Sequence, residues 1–263
     1  PNNPIIGNRS FGEDKNEVTK RALAFMEGMQ SAGVLANAKH FPGHGDTSSD
    51  SHKTLPTIDF SAKRIDSIEL YPYKKLISKN LSSVMVAHLN VPNLDPRPNY
   101  PSSLSYPIVT DLLKEKLGFK GLIFTDALSM KGASNFSNPG EIDLQAFLAG
   151  NDVMLMSNDV TQGIAALEKA VVSGLISEER LAHSVKKILK AKYKVGLHQF
   201  TPIETTNLVA DLNRHKDDVL YGELMENAIT LVQNKKNNLP LKNLELHKVA
   251  YVKMGDADAT PFV

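Results

Sequence analysis

The chain has 263 residues, 41% of them hydrophobic, and 30 Lys and Arg against 29 Asp and Glu give a formal charge of +1. That balance supports a buried core and excludes a charged disordered tail or an electrostatic nucleic-acid binder, and no apolar run is long enough for a bilayer-spanning helix. The absence of Cys excludes disulfides, thiolate zinc sites and a cysteine nucleophile.

The chain opens on Pro1, without an initiator Met or the basic end and apolar core of a signal peptide, and is expected to be an internal piece of a longer protein. Within 14–30, Val18, Ala22, Phe25, Met26 and Met29 form the stripe of an amphipathic helix. Asp14 and Glu17 make a capping box in front of it, and Gly33 a stop behind. Residues 34–39 read as a strand and 40–59 as a polar loop. A helix follows from Ser61, and Pro72 suits the first turn of another.

The same alternation continues. Residues 83–87 (SVMVA) read as a strand, 107–117 as a helix closed by Gly118, and 121–125 (GLIFT) as a strand. A helix at 141–148, a fourth strand at 152–156 (DVMLM) and helices at 159–173 and 178–195 complete the series, the last with Leu181, Val185, Ile188 and Leu189 on one face. Apolar strands alternating with amphipathic helices predict parallel βαβ units. His40, His88, Asp126 and Ser157 fall at or just past strand C-termini, which favours a (β/α)8 barrel over an open doubly wound sheet.

Four strands are half of such a barrel. The predicted class is therefore α/β: the C-terminal part of a TIM-type barrel over 1–200, a linker over 201–214, and the start of a second α/β domain over 215–263. That last part is expected to hold a helix at 218–231 and a strand at 249–252. No internal repeat or low-complexity tract is present.

The densest chemistry lies in KHFPGHGDTSSDSH, 39–52. Three uses are open. His40, His44 and His52 with Asp46 or Asp50 could ligate a divalent metal, although the spacing matches no helical metal motif. Asp50 could polarise His52 as an acid/base dyad. The Gly-rich FPGHG could cradle a phosphate, although it is neither a Walker A nor a GxGxxG sequence. Asp126, at the mouth of GLIFT, reads either as a turn or helix-cap Asp or as a carboxylate nucleophile facing a proton donor. Arg9, Lys39 and His40 are donors suited to sugar hydroxyls or an acetamido group. Arg9 taken singly is also a surface ion-pair residue, and His88 is either structural or part of the binding set.

With Arg9, KHFPGHGDTSSDSH and FTDALSM together, the chain resembles the β-N-acetylglucosaminidases of glycoside hydrolase family 3, over 1 to about 200 for the barrel domain and more loosely over 215–263. The His-bearing loop marks that branch of the family. The resemblance implies that Asp126 is the nucleophile of a retaining mechanism and His52, assisted by Asp50, the acid/base. It also implies that Arg9, Lys39 and His40 line the N-acetylglucosamine subsite, with His88 a further candidate. The implied substrate is terminal β-linked N-acetylglucosamine, typically in peptidoglycan fragments of a bacterium, cytoplasmic or periplasmic, with no cofactor and no metal.

A neutral His base would also let an anion approach the intermediate, so phosphorolysis is a secondary expectation. The family's barrel begins with strands that precede the counterpart of Pro1, one carrying an Asp that grips distal sugar hydroxyls. The sugar site within 1–263 is thus expected to be incomplete, and the chain alone inactive. The reading from another class is a catalytically silent carbohydrate-binding or metal-binding α/β module.

Overall fold

Three short runs pair side by side as a parallel sheet in the order β1-β2-β3: β1 (Asn37–Phe41), β2 (Ser83–Val86) and β3 (Leu122–Thr125). Val84, Val86 and Ile123 at its centre are fully buried, while the alternate residues Met85, Leu122 and Phe124 are only partly so, so one face of the sheet is packed more tightly than the other. This computed structural model describes residues 3, 6–47, 54–237, 239–246 and 248.

The helices follow the alternation predicted from sequence. α1 (Lys15–Ser31) starts at Asp14, whose carboxylate accepts the amides of Asn16 and Glu17. α2 (Ala62–Ser67) is capped by Ser61, and α3 (Tyr71–Ser78) carries Pro72 in its first turn. α4 (Pro107–Lys116) is wound as a π-helix, closing with the Leu117 amide on the Leu112 carbonyl at 2.9 Å. After β3 come the short α5 (Lys131–Ser134), α6 (Glu141–Ala149), α7 (Val160–Val172) behind its cap Asp159, and α8 (Glu178–Lys194) behind its cap Ser177.

Three expectations are corrected. β1 starts at Asn37 rather than 34, because the Val34 amide bonds the Met29 carbonyl and so belongs to the end of α1. The segment 152–156 runs beside β3 but is no regular strand. It makes one parallel bridge, Phe124 to Val153; farther along, the Leu155 amide turns to the Thr125 hydroxyl and Met156 takes a φ of 48°. In α1, Phe25 is exposed while Thr19 is buried, its hydroxyl satisfied by the Lys15 carbonyl at 2.6 Å.

The apolar stripe of α8 is also not its docking face. Leu181, Val185 and Leu189 are exposed, and Ser184 is buried instead. A polar network holds the helix. The Asp152 carboxylate accepts the Ile123 amide at 2.9 Å, the Ser184 hydroxyl and the Lys187 ammonium, and the Arg180 guanidinium donates to the Asn151 carbonyl at 3.0 Å. Burial lowers the pKa of Lys187 against the pull of Asp152, and lowers that of Lys114 nearby to about 8.

The chain divides into two compact units at Phe200 and Thr201. In the second, α9 (Leu208–Leu212) falls inside the predicted linker, and α10 (His215–Ala228) overlaps the helix expected at 218–231 but starts and ends three residues earlier. The strand expected at 249–252 lies outside the described residues.

Asp152 is the one carboxylate among the described partners of Lys187, so Asp152→Ala strands a buried ammonium and a strand amide together. The expected loss is about 3 kcal/mol of unfolding free energy in a urea titration. A loss within experimental error would refute the role given to this network.

Candidate active site

The parallel ladder brings the strand C-termini to one edge. The Asp126 amide donates to the Val86 carbonyl at 2.8 Å, and the Ala87 amide to the Phe41 carbonyl at 2.9 Å. His40, His88 and Asp126, from three separate strands, are thereby made neighbours. In β1 the register runs from Lys39 opposite Met85 directly to Phe41 opposite Val86, so His40 is a bulge residue, the kind of irregularity that re-aims a side chain. The Lys39–His40 and Phe41–Pro42 peptide bonds are cis.

Asp126 has a side chain 14% exposed, and its Oδ1 accepts the Ala127 amide at 2.9 Å. Its Oδ2 lies 3.7 Å from His40 Nε2, close enough for charge to matter but too long for a hydrogen bond. Burial pulls the His40 pKa down to about 4; the Asp126 charge opposes this, while Lys39, His44 and Arg9 add to the lowering. Near neutral pH His40 is therefore uncharged, and the Asp126 carboxylate is not neutralised by an imidazolium beside it.

His88, read from sequence as either structural or part of the binding set, has its ring occupied by the protein's own groups. It is fully buried, and both ring nitrogens are engaged: Nδ1 with the Ser103 hydroxyl at 2.7 Å, and Nε2 with the Ala127 carbonyl at 2.9 Å. The Nε2 contact fixes the tautomer, because a carbonyl only accepts, so Nδ1 accepts from Ser103. Ala127 is consequently held at both ends of its backbone, its amide by Asp126 and its carbonyl by His88. Burial lowers the His88 pKa, keeping this arrangement neutral.

Lys39 is exposed near the end of β1, and Arg9 ends the short turn Gly7–Arg9, exposed and close enough to His40 to oppose its protonation. Asp50 and His52 lie outside the described residues. His44, one of the three histidines of the loop, is buried with its ring edge-on to His40 at 5.7 Å between centroids. Its Nδ1 meets the Thr47 hydroxyl at 2.9 Å. Asn3 donates to the His44 carbonyl at 2.7 Å and the Gly45 carbonyl at 3.0 Å, so this turn presents acceptors there rather than a phosphate-binding row of amides. Among the described residues no three His, Cys, Asp or Glu side chains converge on a metal position. The supports Ser103, Thr47 and Asn3 had no signal in the sequence, since ordinary polar residues in loops carry no periodicity.

Comparisons with known proteins agree on one family. Residues 1–191 match the Glycosyl hydrolase family 3 N terminal domain. The β-hexosaminidase A of Pseudoalteromonas piscicida is 35% identical over 262 residues, covering 92% of this chain and 43% of that protein. A family 3 β-N-acetylglucosaminidase structure from a Paenibacillus species superposes with a TM-score of 0.81 at 37% identity, over 89% of this chain and 45% of the other. A β-glucoside phosphorylase structure gives a TM-score of 0.82 at 29% identity, over 92% and 45%. The chain thus spans a little under half the length of these relatives.

The depressed pKa of His40 sets the sign of a pH effect. An unfolded His titrates near 6.5, so the unfolded chain takes up the proton first as pH falls. The contribution of neutral His40 is complete above pH 6.5 and is lost as pH drops from there through about 4, by at most about 3 kcal/mol. His88 acts in the same direction. His40→Gln is expected to flatten the fall of the urea midpoint between pH 7 and 4.5; an unchanged slope would show that His40 is not buried in its neutral form.

Proposed function

The chain belongs to glycoside hydrolase family 3, and from that premise we propose that it carries the nucleophile half of a retaining β-N-acetylhexosaminidase site. The observation that carries the proposal is Asp126: a carboxylate at the end of β3, fixed by the Ala127 amide and set beside a neutral, buried His40. In this reading one Asp126 oxygen attacks the anomeric carbon of a β-linked N-acetylglucosamine from the face opposite the leaving group. The bond from that carbon to the leaving oxygen breaks, its electron pair stays on the oxygen, and His52 donates the proton. Water then attacks the glycosyl ester, giving its proton back to His52 as the bond to Asp126 breaks. Two displacements retain the configuration.

The division of labour rests on charge. A neutral imidazole at position 40 leaves the Asp126 carboxylate its full nucleophilic charge, and a His acid/base polarised by Asp50 works near neutral pH without the raised pKa that a carboxylic acid needs. Arg9, Lys39 and His40 serve as donors to the sugar, and His88 acts through Ala127 rather than on the substrate. The β-hexosaminidase and β-N-acetylglucosaminidase relatives support the N-acetyl preference, and peptidoglycan fragments are the proposed natural source of the sugar. Residues 1–200 are assigned to the catalytic barrel, 201–214 to a linker and 215–263 to the beginning of the C-terminal α/β domain. Phosphorolysis is kept as a second reading because of the similarity to a β-glucoside phosphorylase.

The test is turnover of a chromogenic β-N-acetylglucosaminide beside the matching β-glucoside by the full-length protein. Selective hydrolysis of the N-acetyl substrate is expected, with a loss of about a thousandfold or more in folded Asp126→Asn and about 10²–10⁴-fold in His52→Ala. Turnover of neither substrate by a folded protein would favour the silent binding module. In phosphate buffer, accumulation of N-acetylglucosamine 1-phosphate would establish phosphorolysis, and its absence would remove that reading.

A further inference from the structure

The stretch that follows β1 is tied down by residues that the proposed chemistry does not use. Arg64, on α2, reaches back to Asp46, its Nη2 donating to Oδ2 at 2.8 Å, and the same nitrogen lies 3.2 Å from Glu69 Oε1. The guanidinium rests 3.6 Å above the centre of the Phe60 ring, which fixes its plane. Glu69 is an unusual partner: its side chain is 8% exposed, and its Oε2 is buried with no hydrogen-bond donor. Burial raises its pKa and Arg64 opposes the rise.

Glu69 also props the loop from below. Gly43 has a φ of +145°, and a Cβ built there would come within 2.8 Å of the Glu69 Cβ, so backbone and side chain are in direct contact and only Gly fits. The loop is therefore held at Gly43 by Glu69, at Asp46 by Arg64, and at Thr47 by the His44 ring. Farther along the sequence the returning limb is pinned as well, with the Ile58 amide on the Asn90 carbonyl and the Asn90 amide on the Pro56 carbonyl, both at 2.9 Å. Asp50 and His52 lie in sequence between these two anchored stems.

We propose that Arg64 is a positioning residue for the acid/base step: by fastening Asp46 to Glu69 across Phe60, it fixes the stem from which the chain runs on to Asp50 and His52. The inference rests on the retaining-glycosidase reading above. An acid/base group contributes only when its proton lies within reach of the leaving oxygen, so loosening an anchored stem acts on that step before any other. Asp46 is 63% exposed and its removal leaves the Arg64–Glu69 pair in place, which makes Asp46→Ala a variant that frees the loop without uncovering a buried charge.

The experiment compares the full-length protein with Asp46→Ala, Arg64→Met and His52→Ala, using two β-N-acetylglucosaminides. One has a dinitrophenolate leaving group that needs no proton; the other is N,N′-diacetylchitobiose, which needs one. Folding is checked by circular dichroism and thermal unfolding. For Asp46→Ala, kcat/KM, which reports formation of the glycosyl-enzyme, is expected to fall about tenfold on the disaccharide and to stay within about threefold on the dinitrophenyl substrate. Arg64→Met should show the same split and, combined with Asp46→Ala, no additive loss.

Equal losses of kcat/KM on both substrates, or none, in folded Asp46→Ala would overturn the inference alone, provided His52→Ala shows the split in kcat/KM. A His52→Ala protein whose kcat/KM falls equally on both substrates would overturn the acid/base reading, and the role of Arg64 with it.

Discussion

The backbone hydrogen bond from Asp126 to the Val86 carbonyl is the contact on which the candidate site depends. Parallel pairing aligns strand C-termini only if the register is kept to the last residue, and here β2 and β3 pair without a slip from Ser83 opposite Leu122 to Val86 opposite Thr125. The next residue on β3 is Asp126, and two residues past β2 is His88. One alignment therefore sets the nucleophile candidate, its imidazole support and, through the β1 bulge, the His40 beside it. The fully buried Val84, Val86 and Ile123 make a slip costly, because it would move each from the core toward a surface.

The two ends of the strands carry opposite kinds of charge problem. At the C-terminal edge the histidines are neutral by burial, and a carboxylate stands beside them with its charge uncompensated by either ring. Burial there disfavours protonation of both rings, against the pull of Asp126. At the other end Asp152 is surrounded by Lys187, Ser184 and a strand amide, with Arg180 and Lys114 close by, and the contacts join α8 to β3. This separation of chemistry from stability along one set of strands is the organisation expected of parallel α/β barrels.

The loop after β1 leaves from the C-terminal edge. Its backbone is held by Glu69 against Gly43, by Arg64 on Asp46, and by Asn3 and Thr47 around His44. Loops that carry reactive groups are useful only when their stems are rigid, since each added degree of freedom dilutes the productive geometry. The large number of side-chain contacts on so short a segment is consistent with that demand.

By itself the sequence determined the α/β alternation, the helix starts at Asp14, Ser61, Asp159 and Glu178 to within a residue, and the grouping of His40, His88 and Asp126 at strand ends. Capping residues and apolar runs are local signals, and they act on the backbone within a few residues of where they are read. Tertiary structure alone decided that the His88 ring is engaged by Ser103 and the Ala127 carbonyl, that α8 docks through Ser184 and Lys187 rather than its leucines, and that residues 152–156 make one bridge instead of a strand. Each of these depends on a partner many positions away: Ser103 for His88, Asp152 for Lys187, Thr125 for Leu155. Periodicity records which face of an element is apolar, but not which buried polar group waits opposite it. The cost of leaving such a group unpaired outweighs the gain from covering another leucine.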